Sequence, residues 1–171
     1  VRRATIGEAI VVHVEHEPTQ LIVGAVLMVS TAVIQTFAVV LLEEFVLLWR
    51  DSVVEKTTRR RMVAMLSGII IYLFALHLLQ MSVWAAFYLQ VTTYPSFAVA
   101  LYESGLAFTT MDVADLPPAW KFLSAAEGVA GLLMFAWSTG VLFAQTSWIT
   151  EARRKYLRKA HMFGSVLESR T

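Results

Sequence analysis

The sequence predicts an all-α membrane protein: three spanning helices, with a shorter apolar helix and an irregular loop between the second and the third. Apolar runs at 21–42, 62–90 and 119–147 are each long enough to cross a hydrocarbon core of about 30 Å. The chain is 57% hydrophobic and 16% charged, with a mean hydropathy of +0.63, too apolar for an ordinary water-soluble domain. Ten of its 14 Lys and Arg residues gather in two short clusters rather than spreading over a surface.

Residues 1–20 are mixed in character and predict an extracytoplasmic tail. Pro18 is expected to separate it from the first spanning helix. Arg2 and Arg3 precede apolar residues as in a signal peptide, but the apolar stretch is brief and no small-x-small cleavage site follows. His13, His16 and Glu17 fall on one helical face, a spacing open to a metal; without a clear third or fourth ligand a surface tail is the expectation. The first transmembrane segment covers 21–49. It has no charge from Leu21 to Leu42, and Glu43, Glu44 and Trp49 mark its interfacial end.

Residues 50–61 carry Arg50, Lys56, Arg59, Arg60 and Arg61 against Asp51 and Glu55, so the positive-inside rule makes this loop cytoplasmic. Thr57 or Thr58 is positioned to cap the next helix. The second spanning helix, 62–90, contains His77 and Gln80. An ionisable group at membrane depth is a functional candidate, and the plainer expectation is a neutral histidine hydrogen-bonded to a neighbouring helix. Trp84 and Tyr88 fit the outer interface.

Between the second and third spans, Pro95 and Ser96 carry helix-start chemistry, and Phe97 to Phe108 is mostly apolar. Such a helix is about 20 Å long, too short to cross. With spanning segments on both sides, a re-entrant segment is predicted: a half-helix enters the membrane and residues 109–116 return as irregular backbone. Such backbone persists at that depth only when buried in protein or lining a watery path.

The third spanning helix, 119–147, carries Glu127 about two turns from its start and small residues at Gly128, Gly131 and Gly140. Close helix packing is the plain expectation for these positions. The tail 148–171 holds Arg153, Arg154, Lys155, Arg158 and Lys159, a second cytoplasmic marker able to touch anionic lipid. The two clusters place the N-terminus outside, the C-terminus in the cytoplasm and the 91–120 stretch at the outer face of a cell inner membrane.

Ala100, Leu101, Ser104, Thr109, Thr110 and Asp115 fit without a gap a pattern Ala-Leu-x-x-Ser-x-x-x-x-Thr-Thr-Val-Gly-Tyr-Gly-Asp. Around it stand Ser96-Phe97, Ala100-Leu101-Tyr102, Pro117-Pro118-Ala119-Trp120 and Gly131-Leu132-Leu133-Met134-Phe135-Ala136-Trp137-Ser138-Thr139. Across residues 62–147 the chain resembles small bacterial ion-channel proteins of the two-transmembrane potassium-channel pore type. The resemblance implies a pore domain over 62–147, with outer helix, pore helix, selectivity filter and inner helix, assembled as a homotetramer. It implies a filter of Thr109, Thr110, Met111, Asp112, Val113, Ala114 and Asp115, with Gly131 as a gating hinge in place of a packing position. Glu127, close to the depth of such a filter, is expected to support it from behind or to line the mouth, and Glu103 to support it.

The filter departs from the pattern at Asp112-Val113-Ala114, which stand where the family has Gly-Tyr-Gly. Glycine lets successive carbonyls face an ion, in conformations that cost a residue bearing a Cβ. The run Thr110 to Asp115 is similar instead to the acidic filters of bacterial sodium and engineered calcium channels, without their tryptophan. Four Asp112 side chains would form a carboxylate ring for calcium, sodium or potassium. If Asp112 points away from the axis it is a scaffold residue. The expectation is a cation channel that is not strictly potassium-selective and is permeable to or blocked by divalent cations. The alternative is a non-conducting structural or regulatory membrane subunit that retains the fold. No nucleophile–base set suggests an enzyme, and the chain has no cysteine, no nucleic-acid patch and no sign of a cofactor. The expected partners are other copies of the chain and membrane lipids.

Overall fold

The computed structural model describes residues 6–55 and 59–168, with side chains over 18–48 and 60–158 and at Met162. The described elements are α1 (Ile6–Glu55), α2 (Arg59–Val91), α3 (Phe97–Phe108), a 3-10 turn (Pro118–Trp120) and α4 (Lys121–Glu168). There is no strand among the described residues. Three segments are long and apolar enough to cross a membrane: Pro18–Leu48, Arg60–Val91 and Pro118–Arg158. At 1.5 Å per residue each exceeds a core of about 30 Å, so the ends project or the helices tilt. Ile22, Val29, Phe37, Ile71 and Phe143 are among many large apolar side chains left more than 60% exposed, a surface suited to lipid or to further protein and not to water.

Two boundaries differ from expectation. α1 passes through Pro18 instead of stopping there. A proline removes one backbone hydrogen bond and crowds one carbonyl, and a helix with apolar residues ahead can absorb that without ending. α4 continues to Glu168, so the helix expected over 119–147 runs on through the basic cluster that follows it. No proline interrupts this stretch, and the Glu151–Lys155 ion pair at 2.9 Å spans one turn of it. The caps expected at Thr57 and Thr58, and the side chains of His13, His16 and Glu17, lie outside the described residues.

The chain divides into two compact units. The first joins α1 up to Thr36 with Leu76–Ala136. Its core is built from Leu27 of α1, Trp84 and Ala85 of α2, Ala100 and Ala107 of α3, and Leu123, Ala126 and Ala130 of α4. The small residues let α3 and α4 come close, while the large Trp84 and Leu123 fill the remaining space. Gln20 accepts the Phe122 N–H at 3.3 Å, satisfying one of the unpaired donors at the start of α4. The second unit joins Phe37–Ala75 with the chain from Trp137. In it Ala38, Val39, Leu42 and Val46 of α1 and Ile69 and Leu73 of α2 are buried, and the Tyr72 hydroxyl donates to the Ala38 carbonyl at 2.7 Å.

Trp84 and Tyr88, expected at a lipid interface, are fully buried. The Trp84 Nε1–H donates to Thr31 Oγ1 at 3.1 Å, and the Tyr88 hydroxyl donates to Glu127. An amphipathic ring suits a membrane boundary, and it suits equally a core that offers its polar tip a partner.

Candidate functional site

The site is the short helix α3 with the loop that follows it, both within the first unit. Ser96 caps α3 from an extended backbone, its hydroxyl accepting the Val99 N–H at 3.4 Å. Twelve residues give α3 a length of about 18 Å. Its inner face buries Ala100, Ser104, Ala107 and Phe108. The space comes from α4. A Cβ built on Gly131 would stand 1.9 Å from the Phe108 carbonyl oxygen, and one on Gly128 3.3 Å from that of Ala107. Gly131 is therefore the seat of the α3 C-terminus.

α3 ends in a Schellman turn. The Thr110 N–H donates to the Ala107 carbonyl at 3.0 Å and the Met111 N–H to the Leu106 carbonyl at 2.9 Å. Thr110 takes φ 57°, and it alone among the described non-glycine residues has a positive φ. Glycine usually fills this left-handed position, and a β-branched residue there costs on the order of 1 kcal/mol. Thr109 turns its hydroxyl back to the Gly105 carbonyl at 2.6 Å. Three carbonyls at the end of α3 thus already accept from the chain that follows.

The loop then presents Met111, Asp112 and Val113 outward and buries Ala114 and Leu116. One Asp112 carboxylate oxygen accepts the Val113 N–H at 2.7 Å. The returning limb is held by side chains from three elements. Ser124 of α4 accepts the Ala114 N–H at 2.9 Å, and Glu103 of α3 accepts the Asp115 N–H at 3.1 Å. Tyr94, just after α2, donates its hydroxyl to the Asp115 carbonyl at 2.7 Å. Burial, with the carboxyl groups of Glu103, Asp115 and Glu127 adding to it, pushes the Tyr94 phenol up to about 12.

Glu127 does not reach the loop. It is fully buried behind α3, where it accepts from the Tyr88 hydroxyl and from Ser104 Oγ at 2.5 Å. Ser104 Oγ also lies 2.9 Å from the Met81 carbonyl. One carboxyl group thereby connects α2, α3 and α4. A second buried polar set ties α1 to α2. Gln80 donates to the Thr31 carbonyl at 3.4 Å and to Gln35 Oε1 at 2.9 Å. That leaves Gln80 Oε1 to accept from His77 Nδ1 at 3.0 Å, which assigns the hydrogen to Nδ1. The His77 ring packs against Phe135 with centroids 4.6 Å apart.

The structure thus brings together Glu103 and Asp115, and separately Glu127 and Ser104, while Met111, Asp112 and Val113 form an exposed tip. No three His, Asp or Glu side chains converge as a metal set among the described residues. Sequence reasoning missed Tyr94, Ser124, Thr31 and Gln35. The available signal was the presence of hydroxyls and amides on otherwise apolar helices, with Thr31 and Gln35 one turn apart on one face.

Comparison with protein-family models, with curated proteins and with solved structures found no match.

Proposed function

We propose that the chain is one subunit of a homotetrameric cation channel, resembling the potassium-channel pore type and carrying an acidic filter over Thr109–Asp115. One observation carries this reading. A helix too short to span leads into a loop pinned by Ser124, Glu103 and Tyr94, between two helices of spanning length, and the loop holds Met111, Asp112 and Val113 outward. A single such loop cannot enclose a path; a closed ring of copies can. In a ring of four, four Asp112 carboxylates would meet, an oxygen-rich site suited to hard cations. Glu103 supports the loop through the Asp115 N–H. The distribution of Lys and Arg supports an inner-membrane protein with its N-terminus outside and its C-terminus in the cytoplasm.

A second reading is a non-conducting structural or regulatory subunit. The Schellman turn favours it, because the carbonyls at the end of α3 are already taken by Thr109, Thr110 and Met111. Asp112 and Ala114 also stand where the resembling channels have glycine.

Reversal potentials in planar bilayers, with potassium, sodium and calcium on opposite sides in turn, test the channel reading. A calcium or sodium preference that Asp112→Asn abolishes supports the carboxylate ring. Unchanged selectivity and divalent block in Asp112→Asn would sink it. Well-folded tetramers that pass no current favour the structural subunit.

A further inference from the structure

In the second unit, α1 and α2 enclose an elongated apolar groove of about 830 Å³. That volume lies within the range of about 300–1,000 Å³ in which small-molecule ligands are held. Its floor is made by the buried Leu42, Val46 and Ile69. Among the described residues one charged side chain lines it, Arg61, at the loop end of α2. Tyr72 is the last residue of α2 to line it, its hydroxyl already donating to the Ala38 carbonyl. The groove is thus greasy along its length and cationic at one tip.

Its length identifies the occupant. From Arg61 to Tyr72 is 11 residues, about 16 Å of helix, close to half of a hydrocarbon core of about 30 Å. A molecule lying in the groove with its head at Arg61 reaches the bilayer midplane and stops, as the acyl chain of one leaflet does. Arg60 and Arg61 are both exposed, and Arg61 has no carboxylate partner among the described residues. Glu43 and Glu44 lie on the side of α1 away from Leu42, Phe45 and Val46, since successive residues turn by about 100°. No acidic side chain among the described residues lines the groove.

We propose that this groove holds one anionic phospholipid of the leaflet on the basic side, its headgroup on Arg61 and an acyl chain against Leu42, Val46 and Ile69. The site is separate from the α3 loop and does not depend on whether the protein conducts. It makes Arg61 a lipid-reading residue as well as part of a topology signal.

Gly68 supplies the means of testing this. It lines the groove, and a Cβ built on it meets nothing within 4 Å, so Gly68→Leu starts its side chain from an open position and extends it into the groove. Ala64→Leu, one turn earlier on the same wall, fills it independently. The full chain is equilibrated with equal amounts of phosphatidylglycerol and phosphatidylcholine, and retained lipid is counted by native mass spectrometry. Wild type is expected to keep one lipid per chain, with phosphatidylglycerol favoured about fivefold, the ratio that one basic residue supports. Arg61→Gln removes the preference and keeps the lipid; the two filling variants lose the lipid of either kind. Undiminished lipid in both filling variants overturns the site, and equal retention of the two lipids by wild type overturns the headgroup contact. The cysteine-free chain allows one further control. Efficient disulfide cross-linking of Phe45→Cys between copies, with no lipid retained, would assign the groove to a second copy instead.

Discussion

Replacing Gly131 with alanine tests whether this glycine is a seat or a hinge. The added Cβ would stand 1.9 Å from the Phe108 carbonyl oxygen and 2.8 Å from its carbonyl carbon. Ordinary C···O contacts begin near about 3.3 Å, so α3 and α4 must separate by about 1.4 Å. Neither side yields easily. The obstacle is backbone, and the end of α3 is held by its Schellman turn and by the burial of Phe108 among Met81 and Met134. Overpacking costs about 1–3 kcal/mol where side chains can adjust, and backbone contact belongs at or above the top of that range. The intrinsic gain of alanine over glycine in a helix returns about 1 kcal/mol, leaving a net loss of about 2 kcal/mol or more. Gly140→Ala is the control, because its Cβ meets nothing within 4 Å and only the helix gain remains. Unfolding of the detergent-solubilised protein, followed by circular dichroism, ranks the variants. Gly131→Ala as stable as wild type, or Gly140→Ala equally damaging, would refute the contact argument. A glycine with no contact at its Cβ would instead show the helix gain alone, as Gly140→Ala is expected to.

Two further variants probe the supports of the site. Glu127→Gln keeps an acceptor, and its amide can donate to a hydroxyl of Tyr88 or Ser104, so a loss of about 1 kcal/mol is expected; Glu127→Ala strands buried hydroxyls beside a cavity and should cost about 2–5 kcal/mol. The same unfolding assay measures both, and equal losses would contradict the assigned role. Tyr94 is expected to make stability fall as pH rises from 10 toward 12: the unfolded phenol ionises near its ordinary 10.0 while the folded one holds its proton to about 12, so the folded state binds more protons in that window. Tyr94→Phe should lessen the fall, and an identical alkaline profile in the variant would show that the phenol does not stay neutral against Asp115.

The elements were legible because their causes are local. A run of apolar residues sets a spanning length wherever it occurs, and Ser96 three residues before Val99 caps a helix without reference to the rest of the chain. Helix ends were less legible, because one residue does not by itself stop a helix whose neighbours continue it. Pro18 did not end α1, and the basic residues beyond 147 continued α4.

The sequence by itself determined three spanning lengths, a helix too short to join them, and two basic ends, since these are properties of consecutive residues. Tertiary structure alone decided that Gly131 receives the Phe108 carbonyl, and that Glu127 serves Ser104 and Tyr88 and not the loop. It also decided that Trp84 meets Thr31, 53 positions away. A glycine, a carboxyl or an indole carries no mark of its partner in the chain. Its partner is selected only when helices meet at one distance and one rotation, where each buried polar group must be satisfied or the contact is lost.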